Sequence, residues 1–535
     1  MTLTPDNLDG VGAETAAAGS VGSVPGEHRR LLIRGLTWSA AFQVFDVIVS
    51  FAAMLVLVRI IPPGDYGRVA AVLGVLGFVN LFNANQFYQH ALQLPEHDEP
   101  DWHLHWTCGF YIQVAQSLLC HALAGLCWFV HSYRPIAPLL HIAAVGVLLD
   151  WPNSFGATML RRQLDLRRLR IVTGSGITMR LVTVILLALS GFGAFAIVIA
   201  NNVVAALPYA LDLLLVRGWR PARAWWRWPS WGDYRVQMRF GFQRTASSLI
   251  SGSRGALEAA LLPAPLGYAA MGLINRAQTL YGATLGRVGS TLNDVVYPFL
   301  PRHSGNRERY ALYATMYLQV MLLISVPGAL FIGQQGPILS RVMYGTKWAA
   351  MDPLIWPGAL IGLTAAVMGT ATSIVLAAGQ LRALLVIDAI ASVAGIVALA
   401  AAWTTGQALP YSWGLAAGQI GASGISVWWA SRLLQRDWFQ TAVLPPFAAA
   451  LAGLLTVHVV PIRAMSPRPI VELAIASLAF STVSLLVIRI GFGTTLGRLL
   501  LNFPAGGRLR TFLLFRAERP QTPPAAEAVH NAASS

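Results

Sequence analysis

Long apolar stretches recur along the whole chain and constrain its fold more than any other feature. A helix needs about 20 mainly apolar residues to cross the hydrocarbon core of a bilayer, and 14 segments approach or exceed that length. They are 36–58, 69–91, 104–130, 136–158, 171–190, 194–216, 240–262, 267–299, 310–332, 353–378, 383–403, 411–431, 442–461 and 470–488. These uninterrupted runs lack the alternation of a membrane β-barrel. We therefore predict an all-α polytopic membrane protein with about 14 transmembrane helices.

The composition excludes an ordinary water-soluble protein. Only 11% of the 535 residues are charged and 55% are hydrophobic, whereas soluble domains carry roughly 25% charged residues. A net charge of +15 would suggest nucleic-acid binding in a soluble chain. Most of the arginines, however, flank apolar segments, as membrane orientation requires. We expect membrane lipids as neighbours and no nucleic-acid partner.

Basic residues are shared unequally between the two sets of alternate loops. The set that includes both chain ends carries 26 Arg and Lys residues, and the other set carries 7. Because positive charge is retained on the cytoplasmic side, both termini are predicted to be cytoplasmic. Residues 1–28 lack the basic start and apolar run of a cleavable signal peptide, so the first apolar segment is expected to act as a signal anchor.

Weak internal similarity predicts two halves. Gly35 and Gly241 open the first and seventh segments, and similar Tyr-x-Gln-Val motifs at Tyr111 and Tyr317 stand the same distance apart. Parallel repeats of this kind are common in transporters. The predicted organisation is a disordered tail over 1–28, a six-helix lobe with a basic linker over 29–231, a second six-helix lobe over 232–431, two additional helices over 432–503, and a disordered basic, Pro/Ala-rich tail over 504–535.

Charged residues within the apolar segments mark a candidate site, because a charge in the hydrocarbon is costly and must face protein or water. In three segments the polar residues recur every three or four positions, which places them on one helical face. The candidates for a substrate-binding cationic cavity are Arg254, Arg276, Arg287 and Arg180. The candidates for its polar lining or for energy coupling are Asp46, Gln43, Ser251, Glu258 and Asp294.

An arginine-lined cavity suits a phosphate-bearing cargo, because guanidinium stays charged when buried and binds phosphate oxygens in pairs. A structural role is the alternative. Arg254 and Glu258 are four residues apart on one helix and would neutralise each other. Arg287 and Asp294 lie where a helix end would let them reach the interface.

Several short blocks resemble bacterial polysaccharide flippases, the Wzx-like members of the multidrug/oligosaccharidyl-lipid/polysaccharide exporter superfamily. The first block runs from Arg34-Gly-Leu-Thr-Trp to Leu57-Val-Arg-Ile-Ile-Pro-Pro-Gly-Asp-Tyr-Gly. Tyr297-Pro-Phe-Leu-Pro, Tyr344-Gly-Thr-Lys-Trp and Gly379-Gln-Leu-Arg follow in the family's order. The resemblance covers roughly residues 30–440, and the acidic loop at 95–103 departs from it.

This resemblance implies a pair of six-helix lobes in the bacterial inner membrane that expose a central cationic cavity to each side in turn. It implies transfer of an undecaprenyl-diphosphate-linked glycan to the periplasmic leaflet, in lipopolysaccharide, O-antigen or exopolysaccharide synthesis. Arg254 and Arg276 would meet the diphosphate, by span and helical face. The implied partners are the lipid-linked glycan, membrane lipids, and the polysaccharide polymerase and other export proteins.

Two other functions remain open from the sequence. A multidrug or small-molecule antiporter of the same superfamily would carry an acid-lined cavity, whereas arginine prevails here. A membrane-embedded polymerase or glycosyltransferase would need a large external loop, and the longest predicted one, 333–352, has about 20 residues. No nucleotide-binding or nucleophile motif is present. We therefore expect no enzymatic activity, no cofactor and no resident metal.

Overall fold

The computed structural model describes residues 42, 45, 46, 48–94, 98–163, 165–221, 231–286, 289, 292, 293, 296, 300–460 and 468–501. Every regular element in these residues is helical, as the apolar runs predict. Hydropathy locates the long helices closely: the predicted segments 353–378 and 383–403 correspond to helices Asp352–Ala377 and Leu381–Thr405. The predicted terminal tails 1–28 and 504–535 lie outside the described residues.

The principal helices are numbered here in chain order. They are α1 (Ile48–Ile60), α2 (Pro63–Val79), α3 (Ala84–Gln93), α4 (Trp102–Phe129), α5 (Ala137–Arg162), α6 (Leu166–Leu189), α7 (Ala194–Val216), α8 (Trp231–Leu261), α9 (Pro263–Tyr281), α10 (Arg307–Tyr344), α11 (Asp352–Ala377), α12 (Leu381–Thr405), α13 (Ala408–Ser431), α14 (Leu444–Val459) and α15 (Pro469–Leu501).

The predicted count of 14 spans is not confirmed. Within the described ranges, nine helices are long and apolar enough to cross a bilayer, or up to eleven if each of two bent pairs forms one span. Part of the difference is physical, because polar and aromatic side chains lower the hydropathy of α13. The first predicted segment, 36–58, extends beyond the described residues. The chain is nevertheless a multi-pass membrane protein.

Several helices are bent or irregular where the sequence interrupts the backbone ladder. The end of α8, Arg254–Leu261, meets α9 at an angle of 102°, where Pro263 opens α9 and Gly267 adopts a left-handed φ of 75°. Helix α7 contains π-helical turns over Ile199–Val203 and Asp212–Val216. The predicted span at 69–91 corresponds to the bent pair α2 and α3, in which a 3₁₀ turn at Asn80–Phe82 separates the two helices.

The chain divides into two compact units that interleave in sequence. The first comprises residues up to Val56, Phe82–His121 and His141–Thr245, and the second comprises Leu57–Leu81, Ala122–Leu140 and the remainder from Ala246. The predicted lobes 29–231 and 232–431, and the additional pair over 432–503, stay a prediction.

In the first unit, a ladder of polar contacts joins the antiparallel helices α4 and α5. Gln113 Nε2 donates to the Val147 carbonyl at 2.8 Å, and Ser117 Oγ donates to the Ala144 carbonyl at 2.9 Å. One turn further along, the Nδ1 atoms of His121 and His141 lie 2.8 Å apart. Hydrogen bonds of this kind hold helices together where lipid gives no hydrophobic drive for association.

In the second unit, small residues let α2 pack directly against α9. A Cβ added at Gly67 would overlap the carbonyl oxygen of Tyr268, and one added at Gly272 would overlap the carbonyl oxygen of Pro63. Such close approach replaces side-chain contact with backbone contact, as at other membrane helix interfaces. The packing fixes the position of α9, which carries Arg276.

Candidate functional site

Two of the sequence blocks, about 290 residues apart, meet in the second unit and form what we term the clasp: Val58, Arg59, Ile61, Lys347 and Trp348. Lys347 Nζ donates to the carbonyl oxygens of Arg59 at 3.0 Å and Ile61 at 2.9 Å. The fully buried Trp348 donates its indole N–H to the Val58 carbonyl at 3.1 Å. A lysine ammonium at the C-terminal end of a helix satisfies carbonyls that have no intrahelical donor. The clasp therefore ties the end of α1 to the turn that precedes α11.

The clasp places aromatic rings around Arg276. The Tyr66 ring lies 5.6 Å from Trp348, edge to face, and the Arg276 guanidinium stacks 4.3 Å above the Tyr66 ring centroid. Arg276 Nη2 donates to Asn275 Oδ1 at 2.9 Å. The face of the Tyr66 ring binds the guanidinium without using the N–H donors of Arg276. Most of those donors therefore stay available for another acceptor.

One Arg276 donor has no partner. Its Nε atom is buried and makes no hydrogen bond, and no ion pair among the described residues includes this side chain. A buried donor without an acceptor costs free energy, more so when it carries charge. Arg276 therefore retains a buried donor that no acceptor among the described residues satisfies.

Arg254 lies in a different environment, where its guanidinium contacts residues of three helices, α8, α12 and α13. Its Nε lies 3.8 Å from Glu258 Oε1, and its Nη1 donates to the Ala391 carbonyl on α12 at 3.1 Å. With the Gln419 amide oxygen turned toward it, Nη2 donates to that oxygen at 3.1 Å. Tyr411 OH donates to Glu258 Oε2 at 3.4 Å. The guanidinium is thus held within its own unit and paired with an acid, although Glu258 Oε1 itself makes no hydrogen bond.

Glycine makes room for this ion pair. A Cβ at Gly395 on α12 would overlap Glu258 Oε1 and crowd the Arg254 side chain. The pairing of residues four apart, the alternative considered from the sequence, is the arrangement observed. Arg254 has the contacts of a residue that fastens α8 to α12 and α13.

The other predicted site residues do not join these two groups in the described structure. Arg180 is half-buried on α6, in the first unit, as is Asp46, which accepts a hydrogen bond from Ser50 Oγ at 3.0 Å. Ser251 belongs to α8, but only its backbone is described. Gln43, Arg287 and Asp294 lie outside the described residues.

A cavity in the second unit was not anticipated from the sequence. Its volume is about 410 Å³. It is lined by Gln278, Tyr281, Gly282, Gly286, Gly289, Asn293, Tyr317, Met321, Ile361, Gly362, Ala365, Ala366, Gly369 and Thr370. A signal was present: glycines at 282, 286 and 289, and small residues at 362, 366 and 369, recur at helical spacing on one face.

The arrangement can bind but is not built for covalent chemistry. Arg276 offers hydrogen-bond donors to an anion, and the cavity offers neutral, mostly apolar walls. Among the described residues, no group of three or more metal-ligating side chains comes together.

Comparison with known proteins agrees with the fold and with the resemblance. The solved structure of the lipid II flippase MurJ in its inward closed conformation aligns with a TM-score of 0.69 and 12% identity, covering 85% of this chain and 99% of that one. The succinoglycan biosynthesis transport protein ExoT of Rhizobium meliloti (strain 1021) is 22% identical over 349 residues, 65% of this chain and 68% of that relative.

The family model described as polysaccharide biosynthesis protein matches residues 56–353. That range is more than half of the chain, and it includes both sides of the clasp and Arg276. The chain belongs to the polysaccharide biosynthesis protein family.

Proposed function

We propose that this protein is a flippase that moves an undecaprenyl-diphosphate-linked glycan across the bacterial inner membrane, from the cytoplasmic to the periplasmic leaflet. The observation that carries the proposal is the family match over residues 56–353. The ExoT relative is a transport protein for succinoglycan biosynthesis, and the MurJ structure is a lipid II flippase. An exopolysaccharide repeat unit is therefore the cargo that the relatives favour.

Arg276 is the residue we assign to the diphosphate. Its guanidinium is fixed by the Tyr66 ring, its Nε lacks an acceptor, and no acid among the described residues neutralises it. Phosphate oxygens accept paired hydrogen bonds from guanidinium and balance its charge. Arg254, by contrast, is already neutralised by Glu258, and we assign it a structural role. This assignment narrows the sequence prediction, which treated the two arginines alike.

Transfer by alternating access would use the same residue from both sides of the membrane. The cargo must dissociate from Arg276 in the outward state. A site that binds the diphosphate through few contacts therefore suits transport better than a site that encloses it. Binding must shift the balance between two conformations by its difference in affinity for them. Both termini are proposed to be cytoplasmic on the strength of the loop-charge asymmetry, which reporter fusions to each terminus would test.

A deletion strain complemented with variants tests the function. Loss of a surface polysaccharide, with accumulation of its lipid-linked repeat unit inside the cell, supports the flippase. Normal polysaccharide export together with new drug sensitivity would instead identify a multidrug exporter and refute the proposal.

Complementation then tests the site. Arg276→Gln should abolish export while the protein reaches the membrane at normal levels, because the amide removes the charge that balances the diphosphate. Arg276→Lys keeps the charge but not the paired donors, and should restore export only in part. Arg432→Gln is the control, since Arg432 stacks on Trp428 and has no role in the proposed site. Full export in the Arg276→Gln variant would remove Arg276 from the mechanism.

A further inference from the structure

The cavity of the second unit lies within the depth of the membrane helices. Its wall on α11 runs from Ile361 to Thr370, a distance of about 14 Å at 1.5 Å per residue. Gly369 is eight residues from the end of α11 at Ala377, and so lies about 12 Å inside the helix. The volume of about 410 Å³ is typical of a small-ligand site, for which the usual range is about 300–1,000 Å³.

Packing explains only some of the glycines that line it. A Cβ at Gly362 would overlap the ring of Tyr281, so that glycine is required by contact. At Gly282 and Gly369, however, an added Cβ would meet nothing within 4 Å, and at Gly286 it would meet only a carbonyl oxygen at 3.9 Å. Glycine within a helix costs about 1 kcal/mol relative to alanine. Three glycines that no neighbour requires, all facing one cavity, keep that cavity open.

The walls indicate the chemistry of the occupant. None of the described lining residues is charged, and most of the surface is apolar. The polar group at one end is internally satisfied, since Asn293 Oδ1 accepts from Tyr317 OH at 2.8 Å and from Ser373 Oγ at 2.7 Å. Among the described lining residues, a phosphate or a cation would find no counter-charge, and a sugar would find few hydrogen-bond partners. A hydrocarbon chain has no hydrogen bonds or charge interactions to lose on entering the cavity.

We propose that this glycine-lined cavity binds a segment of the polyprenyl chain of the lipid-linked substrate. The inference rests on the proposed function, which supplies such a chain. Arg276 and Gln278 are two residues apart on α9 and so face roughly opposite sides of the helix. The headgroup and the chain are thus bound at separate places on one element, and the chain site adds affinity for a polyprenyl carrier that the headgroup site cannot provide.

Photo-crosslinking with the full-length protein in lipid nanodiscs tests the proposal. The probe is a polyprenyl phosphate that carries a diazirine on an internal isoprene unit. After illumination, labelled peptides are mapped by mass spectrometry. Labelling should concentrate on the segments of α9, α10 and α11 that line the cavity, and unlabelled polyprenyl phosphate should compete it away.

A matched pair of variants assigns the label to the cavity. Gly369→Leu fills the space and should reduce labelling of these segments at least about tenfold, the equivalent of 1.4 kcal/mol. Gly424→Leu adds the same side chain on α13, at a position where an added Cβ also meets nothing within 4 Å. Gly424 does not line the cavity, so this control should label as the parent protein does.

Three results would overturn the inference. They are labelling spread evenly over lipid-facing helices, equal labelling by a diacyl phosphatidylglycerol with a diazirine in its chain, and unchanged labelling in the Gly369→Leu variant. The second would show that the cavity takes membrane lipid in general. Normal export in the deletion strain would refute the flippase function itself, whereas an export defect without cavity labelling would refute only the chain site.

Discussion

Trp348 supports the site through both its volume and its indole N–H. Replacing it with phenylalanine weakens the clasp and shows how much the clasp contributes to the stability of the fold. The substitution Trp348→Phe removes the 3.1 Å hydrogen bond to the Val58 carbonyl. Interhelical hydrogen bonds in membrane proteins contribute about 0.6 kcal/mol on average and up to about 1.7. Because the side chain is fully buried, the smaller ring also leaves a void, which adds about 1–2 kcal/mol. The expected loss of stability is about 2–4 kcal/mol.

Unfolding of the purified protein in mixed micelles, titrated with a denaturing detergent, measures this loss. Trp413→Phe is the control, because Trp413 is 45% exposed on α13, and its stability should change by less than about 0.5 kcal/mol. The Trp348 variant should also export polysaccharide poorly, since the smaller phenyl ring loses part of the edge contact with Tyr66 that positions Tyr66 beneath Arg276. Equal stability of the two tryptophan variants would refute the reasoning that the clasp holds α1 and supports Arg276.

Three further substitutions test the packing described above. Gly67→Ala should prevent folding, because its methyl group would overlap a carbonyl of α9. The control Gly64→Ala should fold and export normally, because an added Cβ there meets nothing within 4 Å. Size-exclusion chromatography of the tagged proteins distinguishes the two variants. Arg254→Met should lower the folded yield through about 3–5 kcal/mol of uncompensated charge on Glu258, and a second change, Glu258→Met, should recover it. Gln113→Leu should cost about 1–2 kcal/mol, measured by the same detergent titration.

Each of these tests has a contradicting outcome. A well-folded Gly67→Ala protein would mean that α2 and α9 separate easily. If the folded yield does not recover in the variant with both Arg254→Met and Glu258→Met, the pair contributes more to folding than the mutual neutralisation of two charges. An unchanged midpoint for Gln113→Leu would show that the polar ladder between α4 and α5 is replaceable by apolar packing.

Hydropathy was sufficient for the class and for most helix positions because each span must bury its own backbone in lipid. The breaks were harder to predict. The 102° bend before α9 depends on Pro263 and on a left-handed Gly267, and neither residue alone distinguishes a bend from an ordinary loop. A window average over 69–91 likewise could not detect the 3₁₀ turn inside it.

The site was only partly predictable, because its partners come from distant parts of the chain. Helical spacing placed Arg254 and Glu258 on one face, and the structure pairs them. That Ala391 and Gln419 also bind Arg254 depends on how α12 and α13 pack, which spacing does not encode. The ring on which Arg276 stacks belongs to Tyr66, more than 200 residues earlier in the sequence. The cavity is marked in the sequence by glycine spacing, and charged residues within the spans do not indicate it.

The clasp also has a consequence for the order in which the protein is assembled. Lys347 binds the end of α1 across 286 residues of sequence. At a synthesis rate of about 5–20 residues per second, α1 waits roughly 15–60 s in the membrane before its lysine partner is made. During that time the last carbonyls of α1 must be satisfied by water at the interface or by the insertion machinery. The two sequence blocks of the clasp thus lie near the beginning and the end of the region that the family model matches. The fold of this region is complete only when the two blocks have met.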